Sequence, residues 1–375
     1  MSSYQSRERG DRYQMKIRQL MQNMDYFNGC VYLRNLLPSS ELAKLGHEVE
    51  LVILGTNFPI ESLCKSDIVV LSRTYQTDVF PIVNALKKAK VKVVYETDDD
   101  LESLDTTNPT KAVIDRTLST VKMLGYESDA ITTTTPYLAD VLEKRYGKKP
   151  FVIPNALDLR QYKVNTKGSP VIVGWSGGCT HAIDLLLILD SLMEIQKKTR
   201  FHFVLQGFTI AMLDGQEYVW RRMRELGLDV YEEKEYIMHC IEMCDKIKKM
   251  QSLQFVPFYP AEMFGGLLSK LNLDIGLCPL RDSVFNKAKS CVKYYEYAAT
   301  GAATLASDVV PYNTEVKYLW NNTPEDFKAK LEQLVVDKAF RQNLAKEQRD
   351  WVIENRDSSK VAKQWEAMFK QVKES

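Results

Sequence analysis

Short apolar runs alternate with longer amphipathic stretches along most of the chain. Runs at 15–21, 49–54, 67–71, 91–95, 130–134 and 151–153 have the length of buried strands. Helical stretches at 39–45, 78–89, 111–125 and 136–146 lie between them, and Gly46 is a suitable stop for the first. Strands and helices of these lengths in alternation predict a parallel sheet covered on both faces, with ligands beyond the carboxyl ends of the strands.

The rhythm breaks at 154–170, PNALDLRQYKVNTKGSP, which is polar, carries two prolines and has no period. A second series follows, with strands at 171–175, 201–205, 253–256, 273–278 and 303–306 and a helix at 181–197. Thr323-Pro324-Glu325-Asp326 opens a late helix with a hydroxyl cap, an early proline and early acids. A last helix at 358–373 carries Val361, Trp365 and Phe369 on one face. The expected division is therefore a first domain at 1–155, a linker at 156–170 and a second domain at 171–355.

A length of 375 residues accommodates two domains. The 50 basic and 49 acidic side chains nearly cancel, so bulk charge points to no polyanionic partner. The WRRMR and DKIKK runs within 209–250 do not alter this, because seven Lys/Arg there face nine Asp/Glu. Seven scattered cysteines without a C-x-x-C pair fit reduced thiols in a cytoplasmic protein. No run has the apolar length of a membrane span, and MSSYQSRERGDRYQ lacks the apolar core of a signal peptide.

Candidate chemistry gathers in FNKAKSCVKYYEYAATGAATLASD, 285–308. Lys289 and Lys293 stand four residues apart, where like charges on one helical face repel unless an anion lies between them. Glu296 follows, and a carboxylate can accept both protons of a cis-diol. GWSGGCTH, Gly174–His181, sits where a strand turns into a helix, so glycine amides and the helix field can meet a diphosphate there. The plain alternatives are a solvated basic face, a simple Gly-Gly bend, and a His181 that only caps or packs.

The string E-Y-A-A-T-G-A-A-T-L-A-S-D, 296–308, resembles E-A-x-A-x-G-x-P-V-V-A-S-D of glycosyltransferase family 4. D-I-G-L-C-P-L-R-D-S-V-F-N, 274–286, resembles segments of phage and bacterial members of that group. The resemblance spans about 171–312 and extends more loosely over the first domain. Ala288 stands where the family often has another glutamate, and Ala303 where it has proline. The resemblance implies the GT-B fold, two Rossmann-like α/β domains facing across a cleft, with a terminal helix (about 356–375) returning to the first. It implies a retaining transferase that moves a hexosyl or pentosyl unit from a nucleotide-diphosphate sugar, most simply a UDP-sugar, to an acceptor hydroxyl. Donor contacts would come from Trp175, Ser176, Gly177, Gly178, His181, Asp282, Asn286, Lys289, Ser290, Lys293 and Glu296, with ribose on Glu296.

On the first domain, Gly29, Arg34, Thr134 and the YETDDDL loop with Asp98 and Asp100 would face the acceptor, and Lys289, Lys293, Asp98 and Asp100 are the expected catalytic residues. Asp98-x-Asp100 looks like the metal-binding D-x-D of the other large glycosyltransferase fold. GT-B enzymes typically use amides and basic side chains instead, so no metal or other cofactor is expected, and acceptor binding or helix capping is the favoured role. Saccharide, lipid-linked and protein hydroxyls rank ahead of hydroxymethylated DNA, for which Arg7, Arg9, Arg12, Lys16 and Arg18 form the one local basic patch. An epimerase or a non-catalytic nucleotide-sugar binder would share much of this pattern.

Overall fold

The computed structural model describes residues 14–22, 28–55, 58–225 and 234–375, apart from the side chains at 179, 212, 213, 222 and 223. Six strands form the first sheet: β1 (Lys16–Met21), β2 (Glu48–Ile53), β3 (Ile68–Ser72), β4 (Lys92–Glu96), β5 (Ala130–Thr133) and β6 (Phe151–Val152). Six more form the second: β7 (Val171–Ser176), β8 (Phe201–Gln206), β9 (Leu253–Val256), β10 (Ile275–Cys278), β11 (Ala303–Ser307) and β12 (Leu319–Trp320). Every pairing is parallel, in the orders β2-β1-β3-β4-β5-β6 and β12-β11-β10-β7-β8-β9. Central strands covered on both faces read as unbroken apolar runs, and β3, IVVLS, is buried at all five positions.

Each order reverses once, between β1 and β3 and between β7 and β10. At such a reversal neighbouring loops diverge to opposite faces of the sheet, leaving a crevice beyond the strand ends. The segments that follow β1 and β3 carry Gly29 and Arg73, and those that follow β7 and β10 carry Gly177, His181, Arg281 and Asn286.

Helix boundaries follow local chemistry. Thr135 caps the helix Pro136–Tyr146 by accepting from the Leu138 amide at 3.2 Å, and Gly147 closes it at φ 68°. Thr135→Ala should lower stability by about 1 kcal/mol, measured by denaturant unfolding. Asp337 and Asp357 cap the helices Lys338–Asn355 and Ser358–Glu374. The last helix lays Val361, Trp365, Met368, Phe369 and Val372 against Ile17, Ile68, Val70 and Val94 of the first sheet, so it does cross back.

The helices Phe264–Leu271 and Lys338–Asn355 and the edge strand β12 go beyond the sequence expectation. Within 209–250, the helix Lys234–Ile247 buries Tyr236, Ile237, Cys240, Met243, Cys244 and Ile247 in the core of the second sheet. Among the described residues no helix is long and apolar enough to cross a membrane.

Candidate active site

A cavity of about 750 Å³ opens between the two sheets at their reversal points. Gly29, Asp98 and Asp99 line its first-sheet side. Trp175, Ser176, Gly177, Gly178, His181, Lys289, Ser290, Lys293 and Glu296 line the other. These residues come from four separated stretches, and the sheet order brings them together.

Glu296 and Lys293 project from the helix Val292–Ala299, which is anchored by the buried Tyr294, Tyr295 and Tyr297. The Glu296 carboxylate takes no hydrogen bond from the described residues. Burial lifts its pKa to about 8, with Lys293 pulling the other way. Lys293 is itself pushed down, first by burial and then by Lys289. Its Nζ lies 3.5 Å from His181 Nε2 and 5.8 Å from the centre of the Trp175 ring.

Lys289 does not share a helix with Lys293. A short helix, Val284–Lys287, ends before it, and the next begins at Val292. The intervening segment is held from the first half of the chain, where Asn155 Nδ2 donates to Ser290 Oγ at 2.9 Å. Lys289 Nζ lies 4.4 Å above the Phe285 ring and 3.7 Å from Asp99 across the cleft.

The glycine turn contributes less backbone than its sequence suggests. The Gly177 amide donates to the Gln206 carbonyl at 3.1 Å, which leaves Gly178 as the glycine whose amide no described residue engages. Gly207, at φ +93°, packs so closely on Gly177 that a Cβ there would lie 2.0 Å from the Gly177 oxygen.

Arg34 is a correction. It is buried, donates to Glu96 at 2.7 Å, to the Ile153 carbonyl and to Asn155, and stacks 4.9 Å from the Trp365 ring centre. An arginine so committed supports the fold and cannot meet an acceptor. Asp100 likewise turns away from the cavity and pairs with Arg145 at 2.7 Å. Thr134 is buried outside the cavity lining. Asp282 is exposed and pairs with Lys287, and Asn286 lines a small adjoining cleft, donating to Asp184 and to the Arg281 carbonyl.

Three residues near the cavity escaped the sequence reading. Asp99, the middle of the three aspartates, faces the cavity with Asp98, and Arg73 donates to both, at 2.8 and 2.6 Å. Burial would raise the Asp99 pKa, but Lys289 and Arg73 outweigh it and hold it at about 2. The third is Asp184, which His181 meets at 3.0 Å. The H-x-x-D spacing at the start of a helix was the available signal for that pair.

No protein-family profile and no curated protein sequence matches the chain. Solved structures do. An Anabaena protein, Alr3699/HepE, in complex with UDP and glucose aligns at TM-score 0.65 and 13% identity over 95% of this chain and 99% of that one. A glycosyltransferase from Rickettsia africae aligns at 0.64 and 12%, covering 97% and 99%. An alpha-glucosyltransferase in complex with UDP aligns at 0.61 and 16%, covering 95% and 100%, and a complex of alpha-glucosyltransferase with UDP and a 13-mer DNA containing an HMU base is also similar, at 0.60 and 17%. The two parallel sheets, the cleft between them and the returning helix are those of the GT-B fold, which this chain adopts along nearly its whole length.

Proposed function

We propose that the protein is a nucleotide-sugar glycosyltransferase, transferring a sugar from a UDP-sugar to an acceptor hydroxyl. The observation that carries this is the convergence of Glu296, Lys293 and Lys289 on one wall of the interdomain cavity. The unbonded Glu296 carboxylate is suited to accept both ribose hydroxyl protons. Lys289, Lys293 and the Gly178 backbone would take the diphosphate. The working division is 1–155 with 356–375 on the acceptor side and 171–355 on the donor side.

In the reaction the bond from the anomeric carbon to the diphosphate oxygen breaks, and its electron pair leaves with the diphosphate. The acceptor oxygen bonds to the anomeric carbon and passes its proton to the departing diphosphate. Ammonium groups placed before the bond breaks stabilise the leaving charge without reorganising at the moment of reaction. Retention of configuration is the outcome that the family resemblance implies. Asp98 and Asp99 line the opposite wall and would face the acceptor, but both are already engaged by Arg73, which competes with any divalent ion for their oxygens. Transfer is therefore expected to persist in excess EDTA. Its loss, restored by manganese or magnesium, would make Asp98 and Asp99 metal ligands and reverse that reading.

A UDP-sugar panel screened by thermal shift tests the donor, because a ligand bound only by the folded state raises the melting temperature. Transfer of labelled sugar to saccharide, lipid-linked, protein and hydroxymethylated DNA acceptors then assigns the class. The DNA arm starts at a disadvantage. Arg7, Arg9 and Arg12 lie outside the described residues, and Arg18 is neutralised by Glu48 and Glu50. A changed sugar with donor alone would identify an epimerase, and binding without turnover a carrier.

A further inference from the structure

We infer that Asp184 is a positioning residue, which holds His181 in the tautomer whose Nε2 accepts from Lys293 and thereby fixes the Lys293 ammonium at the cavity wall. The inference rests on the reading of Lys293 as a diphosphate ligand.

Asp184 sits in the first turn of the helix Ala182–Lys198 and is buried. Both of its oxygens are used. Oδ2 meets His181 Nδ1 at 3.0 Å, while Oδ1 accepts from the Arg281 amide at 2.9 Å and from Asn286 Nδ2 at 3.4 Å. His181 keeps Asp184 ionised against the effect of burial. An ionised carboxylate only accepts, so the proton of the His181–Asp184 contact belongs to Nδ1. His181 is neutral at physiological pH, because burial and then Lys293 push its pKa down to about 4. A neutral imidazole with its proton on Nδ1 presents a lone pair at Nε2.

Lys293 Nζ lies 3.5 Å from that nitrogen. An ammonium has three donors and no acceptor, so the contact is attractive only in this tautomer. In the other tautomer an N–H would point at the ammonium. Lysine is a point charge on a flexible stem, and Lys289 nearby repels it. His181 supplies the acceptor that keeps the group in place before an anion arrives. The Asp184 network also continues to the first domain, since the Arg281 guanidinium donates to Asp105 at 2.6 Å and to Thr107 at 3.0 Å.

The test uses the full chain, histidine nitrogen NMR and calorimetric binding of UDP. Wild-type His181 should carry its proton on Nδ1. In Asp184→Asn the amide donates to Nδ1, the proton moves to Nε2, and UDP affinity should fall about tenfold. Asp184→Glu should restore part of the loss with the wild-type tautomer, which a merely structural role would not require. If Asp184→Asn does not fold, a second pair decides: His181→Gln, which keeps an acceptor near the Nε2 position, should bind UDP better than His181→Phe. Equal affinity in that pair overturns the inference, as does an Nε2–H tautomer in the wild type or an unchanged UDP affinity after the tautomer has moved. Should the wild type bind no UDP, the donor reading fails separately. The Lys293 Nζ resonance then decides: a shift in Asp184→Asn upholds the relay, and an unmoved resonance removes it.

Discussion

With Lys293 replaced by methionine, sugar transfer is expected to fall by about 10²–10³-fold, the usual cost of removing one preorganised group that stabilises developing charge. Methionine keeps the length of the stem without the charge. The side chain is partly buried in the cavity wall, and its pKa is depressed because desolvation, and then Lys289, disfavour the charged form. Between the folded pKa and the ordinary value near 10.5 the unfolded chain binds the extra proton, so this group opposes folding until the pH exceeds that range. Lys293→Met should thus melt at or above the wild-type temperature while losing turnover. Loss of activity together with loss of folding would place Lys293 among the structural residues, and wild-type turnover would remove it from the mechanism.

Glu296→Gln should separate binding from stability even more sharply. Each charge-assisted hydrogen bond to ribose is worth roughly 1.5–3 kcal/mol, so weakening them should lower donor affinity about 10- to 100-fold. Stability should move the other way. The folded pKa is about 8 against an ordinary 4.5, so between those values the native state holds a proton that the unfolded chain has released. Stability of the ligand-free protein then declines as pH rises from the lower value to the upper and levels off beyond it. Glutamine removes that slope, and above about pH 8 the variant should melt higher than the wild type. Donor binding to the wild type needs the carboxylate, so below that pH it should release a proton and tighten as pH rises. Calorimetry in two buffers of different ionisation enthalpy measures that proton. A wild-type affinity in Glu296→Gln would leave the ribose assignment without support.

Apart from the short edge strand β12, the sheet strands were legible in the sequence because parallel strands buried on both faces carry their signal locally, as β3 does. The place of Glu296 in the cavity wall was legible for a related reason, since its helix, the following Gly301 and β11 are contiguous in the chain. What local pattern could not supply was partnership. Arg34 follows a glycine near the cleft and looked available, but its partner Glu96 arrives on another strand of the sheet. Lys289 and Lys293 have helical spacing, but the helix is broken between them, and the broken segment is met by Asn155, far away in sequence. Three consecutive aspartates are equivalent on paper. Backbone direction and two arginines, Arg73 and Arg145, decide that Asp98 and Asp99 face the cavity and Asp100 does not.

The returning helix Ser358–Glu374 has a consequence for synthesis. A chain made from its N-terminus completes β1, β3 and β4 long before Trp365 and Phe369 leave the ribosome. Until then Ile17, Val70 and Val94 lack their cover, and the Arg34 guanidinium lacks the indole it stacks on. The second sheet is covered by residues as late as Val352, and one of its faces also draws on Leu33, Leu37 and Leu157. Until that helix is made, the first sheet keeps an apolar face open to chaperones or to misassociation.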